Sequence, residues 1–461
     1  MLRSAGLRTS SASATTRTDV VAGLFSGGWL TRERVRIGAA LLVAIELGFF
    51  VFFVAGTHGW IVPLDRPTTT DFASFYAAGT LADAGTPQLA YDHRAHWAAE
   101  EAATAPGIEY QFFNYPPVFL LVCAALAPMP YLVAFSVFIA GTLLLYLAAA
   151  RRILDDNGVT ALLALLSFPM LYWNGGLGQN AFLTAALFGA GTLLVDRRPV
   201  LAGLCFGALC YKPHFGLLLP LALAAGGRWR CFAGAAAAVG GLALISLLLF
   251  GAGTWEAFFA SVAGSHAVYE SGRIQFAGMV SPFGAVRLLG GGVGLAYAVQ
   301  GAATLVAAAA VVVVWRRGLP LATRAAVLAS GTLVALPLSL LYDLMLGSIA
   351  AAWLVRDRAS PAARGWELSA LAGMVLALLL STPALAEKWH LPIFPLAAMT
   401  LFAMAAGRGW RQLQADRQAN GAAKQETHRS AVYGGLWQAT SLGRHAQGGD
   451  RSEGAGRSPP P

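Results

Sequence analysis

The chain of 461 residues is 57% hydrophobic and only 12% charged, with a mean hydropathy of +0.60, a balance that no water-soluble globule with a single core keeps in solution. Its formal charge of +9 comes from arginines set in short clusters between apolar runs, which reads as anchoring on a cytoplasmic membrane face and excludes nucleic acid as the partner. Cys123, Cys205, Cys210 and Cys231 lie in or beside apolar runs without metal-ligand spacing and read as small core residues.

Residues 1–36 are rich in Ser, Thr, Gly and Arg and read as a disordered cytoplasmic tail. The first apolar run, 37–56, is followed by "GTHGWIVPLDRP" rather than by a small-residue cleavage site, so it reads as an uncleaved span behind Arg32, Arg34 and Arg36. Next comes "TTTDFASFYAAGTL", which sets Asp71 at the mouth of a membrane. Residues 115–130, "YPPVFLLVCAALAPMP", offer about a dozen apolar residues between proline pairs, or about 18 Å of a core about 30 Å thick. That stretch reads as a re-entrant or juxtamembrane helix near 116–128 in the first outer loop.

Further apolar runs follow at 131–150, 159–173, 179–195, 199–211, 214–227, 231–250, 292–314, 323–341, 344–355, 367–383 and 391–406. The basic clusters at 32–36, 151–152, 197–198, 228–230, 316–317, 356–358 and 408–411 enclose even numbers of these runs when all are cytoplasmic. The expected fold is therefore an all-α polytopic membrane protein of about twelve (11–13) transmembrane helices. Its transmembrane domain is expected over 37–406, with both termini cytoplasmic. The polar, Gly-rich stretch 407–461 reads as a second disordered tail.

This topology gathers the polar motifs on the outer face, and each has a structural and a functional reading. Asp71 is a helix N-cap or a cavity-facing acid. In "NGGLGQN", Asn174, Gln179 and Asn180 are turn caps or amides for sugar hydroxyls, with the glycines allowing close backbone approach. Lys212, one of three lysines in the chain, is a snorkelling anchor or a point charge for a phosphate, with His214 beside it. His266 and Arg273 sit in a loop of about forty residues, solvated or functional. Asp343, almost inside an apolar run, needs a cation, as a helix-joining salt bridge or as part of a site.

In order, "DFASFYAAG", "YD" at 91–92, "NYPP" at 114–117, "GLGQNAFL" at 176–183, "GALCYKPHFGLLLPL" at 207–221 and "LLYDLMLG" at 340–347 resemble glycosyltransferase family 87, the alpha-mannosyltransferase-like family, over about residues 40–405. The resemblance implies a GT-C type bundle in the inner (plasma) membrane. Its co-substrate would be a polyprenyl-phosphate sugar on the periplasmic or extracytoplasmic side, with a lipid or glycan acceptor; no cofactor is expected and no residue is assigned to a metal, whose involvement the sequence leaves open. An acidic residue of the first outer loop serves as base in such enzymes, and Asp71 holds the matching position.

On that reading Lys212, with His214 or Arg273, holds the donor phosphate. Tyr76, Tyr115, Asn174, Gln179, Asn180, His266 and Asp343 form the sugar and acceptor set, and a single displacement inverts the anomeric centre. The late motif departs from that of mannolipid-elongating members, which carry histidine where this chain has Tyr342 and Asp343. The rival class is a multi-span transporter or lipid flippase, which would show internal repeats and midplane polar residues. The chain shows no repeat, and its polar motifs gather at one face; nor does it carry a Walker or dinucleotide glycine pattern.

Overall fold

The computed structural model describes residues 26–55, 61–62, 66–67, 71–263, 270, 272 and 274–446; His266 and Arg273 lie outside them. The chain divides into two units, Met1–Gly409 and Trp410–Pro461. Among the described residues there are nineteen α-helices. The first are α1 (Arg32–Ala55), α2 (Asp71–Asp83), α3 (His93–Ala103), α4 (Pro117–Leu126), α5 (Tyr131–Leu154), α6 (Val159–Leu166), α7 (Pro169–Leu177) and α8 (Ala181–Leu194). Then come α9 (Pro199–Ala208), α10 (Leu219–Ala225), α11 (Trp229–Phe250), α12 (Ala252–Ala263), α13 (Pro282–Leu288) and α14 (Val293–Arg316). The last are α15 (Leu321–Ala335), α16 (Met345–Arg356), α17 (Gly365–Leu379), α18 (Pro383–Trp389) and α19 (Ile393–Ala446). A two-residue antiparallel pair, Ile61–Val62 with Arg66–Pro67, lies between α1 and α2.

The chain is predominantly helical, with helices apolar enough for a membrane, but twelve full spans are not seen among the described residues. Among the described residues α5, α11, α14 and Ile393–Gln425 are long and apolar enough to cross a membrane, and the pairs α6–α7 and α17–α18 raise the number to six if each is one span. Proline accounts for the broken runs. Pro169 and Pro383 open the second helix of each pair, and because a proline disfavours helical backbone just before it, the runs bend by 59° and 94°. The runs expected at 179–195, 199–211, 214–227 and 323–341 form shorter apolar helices. The proline-bounded stretch after Tyr115 becomes the ten-residue α4, about 15 Å long. From Gly407, where a disordered tail is expected, helix continues through Ala446, in a segment rich in strong helix formers such as Ala, Gln and Arg.

The arginine clusters tie turns together. Arg32 meets Asp156 at 2.9 Å, Arg356 meets Asp155 at 3.6 Å and donates to the Arg152 carbonyl at 3.0 Å, and Arg408 reaches Asp357 at 3.6 Å. Asp196 holds both Arg228 and Arg324 at 2.6 Å. The chain leaves and re-enters this arginine-bearing end three times: through α6–α8 from Asp156 to Asp196, through α9–α10 to Arg228, and through α15–α16 from Arg324 to Arg356. These three segments are hairpins with tips at 174–180, 209–216 and 336–344. The helical stretch Pro199–Tyr211 puts the second tip about 20 Å from its base.

Small residues let the helices approach. A Cβ on Gly203 or Gly207 of α9 would come within 2.2 Å of the Cys231 carbonyl or 2.4 Å of the Ala235 carbonyl on α11. A Cβ on Gly79 would come within 2.2 Å of the Cys123 carbonyl, so α2 lies directly on α4. Cys123 and Cys231 are both fully buried in these seams.

The third tip depends on α14. Pro337 ends α15, leaving Leu336 extended. Gln300 Nε2 and Thr304 Oγ1 donate to the freed carbonyls of Val334 and Ala335 at 3.0 and 2.8 Å, and Gln300 Oε1 accepts the Phe283 amide at 3.1 Å. The Val280 amide donates to the Ser339 carbonyl at 2.9 Å, pinning the tip from its other side. Gln300→Leu strands one carbonyl and one amide, each at a cost of about 1–3 kcal/mol. The purified variant is expected to unfold at a lower temperature in detergent than the parent; an unchanged midpoint contradicts this role.

Candidate active site

The three hairpin tips, the start of α2 and the loop 111–116 line a cavity of about 600 Å³. Asp71 opens α2, where a carboxylate also suits the positive end of the helix dipole. Gln179 Nε2 donates to Asp71 Oδ2 at 2.8 Å. Gln179 Oε1 accepts from the Tyr115 hydroxyl and from the Asn180 amide, both at 3.2 Å, and these two donors aim the amide nitrogen at Asp71. Asp71 keeps part of its surface open to the cavity, yet protein packed around the carboxyl pushes its pKa up to about 6, with the Gln179 bond and the charge of Lys212 pulling the other way. Burial holds the Tyr115 hydroxyl well above its ordinary value, so it stays a neutral donor.

Gly178 explains how Gln179 arrives there. It ends α7 in the left-handed region at φ +71°, with the Gln179 amide donating back to the Asn174 carbonyl at 2.9 Å. A Cβ on Gly178 would lie 2.5 Å from the Phe72 Cβ. The close approach therefore joins the first tip to α2, rather than a ligand to backbone.

Lys212 stands between two short 3₁₀ turns at the second tip, where Pro213 prevents the helix from continuing. Its Nζ lies 2.9 Å from Asp343 Oδ1 of the third tip, and both side chains are buried. The Leu340 amide donates to Asp343 Oδ2 at 3.0 Å. The rings of Tyr342 and Phe215 lie 5.2 and 5.5 Å from Nζ, so the ammonium has aromatic faces as well as the carboxylate. The cavity thus joins an acid held by an amide to a cation held by a second acid. Among the described residues no three His, Cys, Asp or Glu side chains form a metal-ligand set.

Residues 112–341, about half of the chain, match the model of glycosyltransferase family 87. The chain belongs to that family. It is accordingly a glycosyltransferase. No curated protein and no solved structure matches it. The family 87 match includes Tyr115, Gln179, Lys212 and His214, whereas Asp71 precedes it and Asp343 follows it.

Of the residues expected at the site, Asp71, Tyr115, Gln179, Lys212, His214 and Asp343 line the cavity. Tyr76, Asn174 and Asn180 are not among the lining residues. Tyr76 donates to the Met129 carbonyl at 2.8 Å, since five residues beyond Asp71 place it about 140° around α2. Asn174 is fully buried, its Oδ1 accepting the Ala181 amide at 2.9 Å across the first tip. Asn180 is equally buried; its backbone N–H serves Gln179, and its side-chain amide lies beside the Tyr115 hydroxyl without hydrogen-bond geometry. The cavity adds Ser74, Gln111, Asn114, Tyr211 and Ser339. Ser74, three residues after Asp71, was within reach of helical spacing; Gln111 and Ser339 carry no sequence signal of their own.

Removing one partner of a buried ion pair leaves an uncompensated charge, at about 3–5 kcal/mol, whereas removing both does not. Lys212→Met is therefore expected to lower the unfolding midpoint more than Lys212→Met with Asp343→Leu. Equal destabilisation by the single and the double variant, in the same detergent, would show that the pair is not what joins the two tips.

Proposed function

We propose that this glycosyltransferase moves a hexose of the mannose type from a polyprenyl-phosphate sugar to a lipid or glycan acceptor, with inversion, at a site facing the extracytoplasmic side of the plasma membrane. The observation that carries the reading is the placing of Asp71 and Lys212 in one cavity, each with its own rigid support. The arginine ties at the opposite ends of the hairpins support the orientation, because clustered arginines favour the cytoplasmic face.

In this mechanism the acceptor hydroxyl attacks the anomeric carbon while its proton passes to the Asp71 carboxylate. The anomeric C–O bond breaks and its electron pair leaves with the polyprenyl phosphate. Lys212 meets that phosphate as a point charge, exchanging Asp343 for the incoming anion, and His214 lies next to it on the cavity wall. Tyr115 and Gln179 keep the carboxylate aimed and offer polar edges to the sugar. A single displacement on one face inverts the centre. A lipid-linked donor arrives through the bilayer, which suits a short-helix bundle without a nucleotide fold.

Asp71→Asn keeps the size of the side chain and offers an amide oxygen to Gln179, but it cannot take a proton. General-base catalysis is worth about 10² to 10⁴ in rate, so the variant is expected to lose at least a hundredfold in kcat/KM for sugar transfer from a polyprenyl-phosphate donor while unfolding normally. Near-parental transfer by the purified variant would refute the assignment. The base works in its ionised form, and the carboxyl titrates at about 6. With decreasing pH, kcat/KM is therefore expected to be flat above that value and to fall about tenfold per unit below it. A profile still flat at pH 5 would remove Asp71 from proton transfer.

A further inference from the structure

Behind the wall that carries Asp71 lies a buried pair that the proposed mechanism does not use. His96 and Glu100, one turn apart on α3, are both fully inaccessible. His96 Nε2 lies 3.1 Å from the Ser74 carbonyl on α2, an atom that can only accept, so this nitrogen carries the ring hydrogen. His96 Nδ1 then faces Glu100 Oε1 at 3.5 Å, and neither atom has another hydrogen-bond partner. Glu100 Oε2 accepts the Gln111 backbone N–H at 3.1 Å. The pair thus links α2, just past Asp71, to the segment that supplies Gln111, Phe112, Asn114 and Tyr115 to the cavity.

We propose that His96 and Glu100 together position the 111–115 wall of the cavity, and that they do so only while one proton lies between Nδ1 and Oε1. Without that proton a carboxylate oxygen and an imidazole lone pair would oppose each other in a site closed to solvent. With it, Oε1–H donates to Nδ1 and Oε2 remains free to hold the Gln111 amide.

The surroundings favour the neutral form of the pair. Burial pushes Glu100 up to about 8, opposed by the Gln111 hydrogen bond and reinforced by Asp71. Burial lowers His96 to about 4, opposed by the hydrogen bond to Ser74 and reinforced by His93. The other titratable groups around the pair are Tyr110, whose ring lies 5.7 Å from that of His96, and Asp92 at the N-cap of α3. Neither Tyr110 nor Asp92 can carry positive charge, so neither favours a charged Glu100. The sign follows. Glu100 binds its proton more tightly in the folded state than in the unfolded chain, so its own contribution is complete below the unfolded carboxyl value of 4.5 and is lost as pH rises through about 8; His96, lowered from 6.5 to about 4, has the opposite slope between those values, so the pair as a whole loses stability above about 6.5.

Glu100→Gln tests this, because a glutamine side chain can donate to Nδ1 through Nε2 and accept the Gln111 amide through Oε1 without titrating. Hydrogen–deuterium exchange of full-length protein in detergent is followed at peptides covering 104–116, at pH 7 and pH 9.5, after correction for the intrinsic exchange rate. The parental protein is expected to lose at least tenfold protection of this segment between the two pH values, and Glu100→Gln to keep it at both. Parental protection that survives pH 9.5, a parallel loss in the variant, or a variant unprotected already at pH 7 would each overturn the proposal. The readout requires no donor or acceptor, so its outcome is independent of the sugar-transfer reading. As the functional counterpart, kcat/KM of the parent is expected to decline above pH 8 and that of Glu100→Gln to remain level.

Discussion

The Lys212–Asp343 ion pair is the interaction on which the geometry of the cavity depends. Two charges taken out of water at the tips of separate hairpins are tolerable only against each other, with the Leu340 amide satisfying the second carboxylate oxygen. The pair therefore fixes the distance between the second and third tips. It also leaves a cation at the cavity wall whose present partner is an anion, and such a cation can be handed to another anion. The same feature thus serves structure by itself and, in the proposed mechanism, charge stabilisation of the leaving phosphate.

Around that pair the fold uses short, interrupted helices where long ones would serve a simple membrane anchor. Interruption releases backbone groups, and each must find a partner away from water. Gln300 and Thr304 perform this for the end of α15, and the back-bonded Gly178 turn performs it for the end of α7. The polar side chains that result from broken helices are the ones available to the cavity. Interrupted helices and chemistry therefore occur together for a physical reason.

The Asp71 side of the cavity is organised differently. Asp71 is oriented by a neutral amide rather than by a cation, and packing raises its pKa into the range where a carboxyl can both accept and release a proton. Behind it, His96 and Glu100 fasten α3, α2 and the 111–115 segment to one another through polar atoms that have no route to solvent. One wall is held by a buried pair of opposite charges and the other by hydrogen bonds to backbone groups.

Composition and periodicity determined much by themselves. Apolar content requires a membrane, arginine placement pairs the turns, and the rarity of lysine and of intramembrane acids singles out Lys212, Asp343 and Asp71, because ionised groups in such a chain must have partners. The ordered motifs were sufficient to point to the glycosyltransferase family. What one-dimensional patterns could not supply is direction. Tyr76 and Asn174 sit in the right motifs, but helical rotation and a turn cap point them away from the cavity, while Gln111 and Ser339 reach it without any local signal. Likewise, apolar run length does not reveal where a proline will bend a run, so twelve expected spans became a mixture of long and broken helices. The pairing of Lys212 with Asp343 across 131 residues, and of Gln179 with Asp71 across 108, is decided only in the tertiary structure, because nothing local constrains which distant tips will share one low-dielectric space.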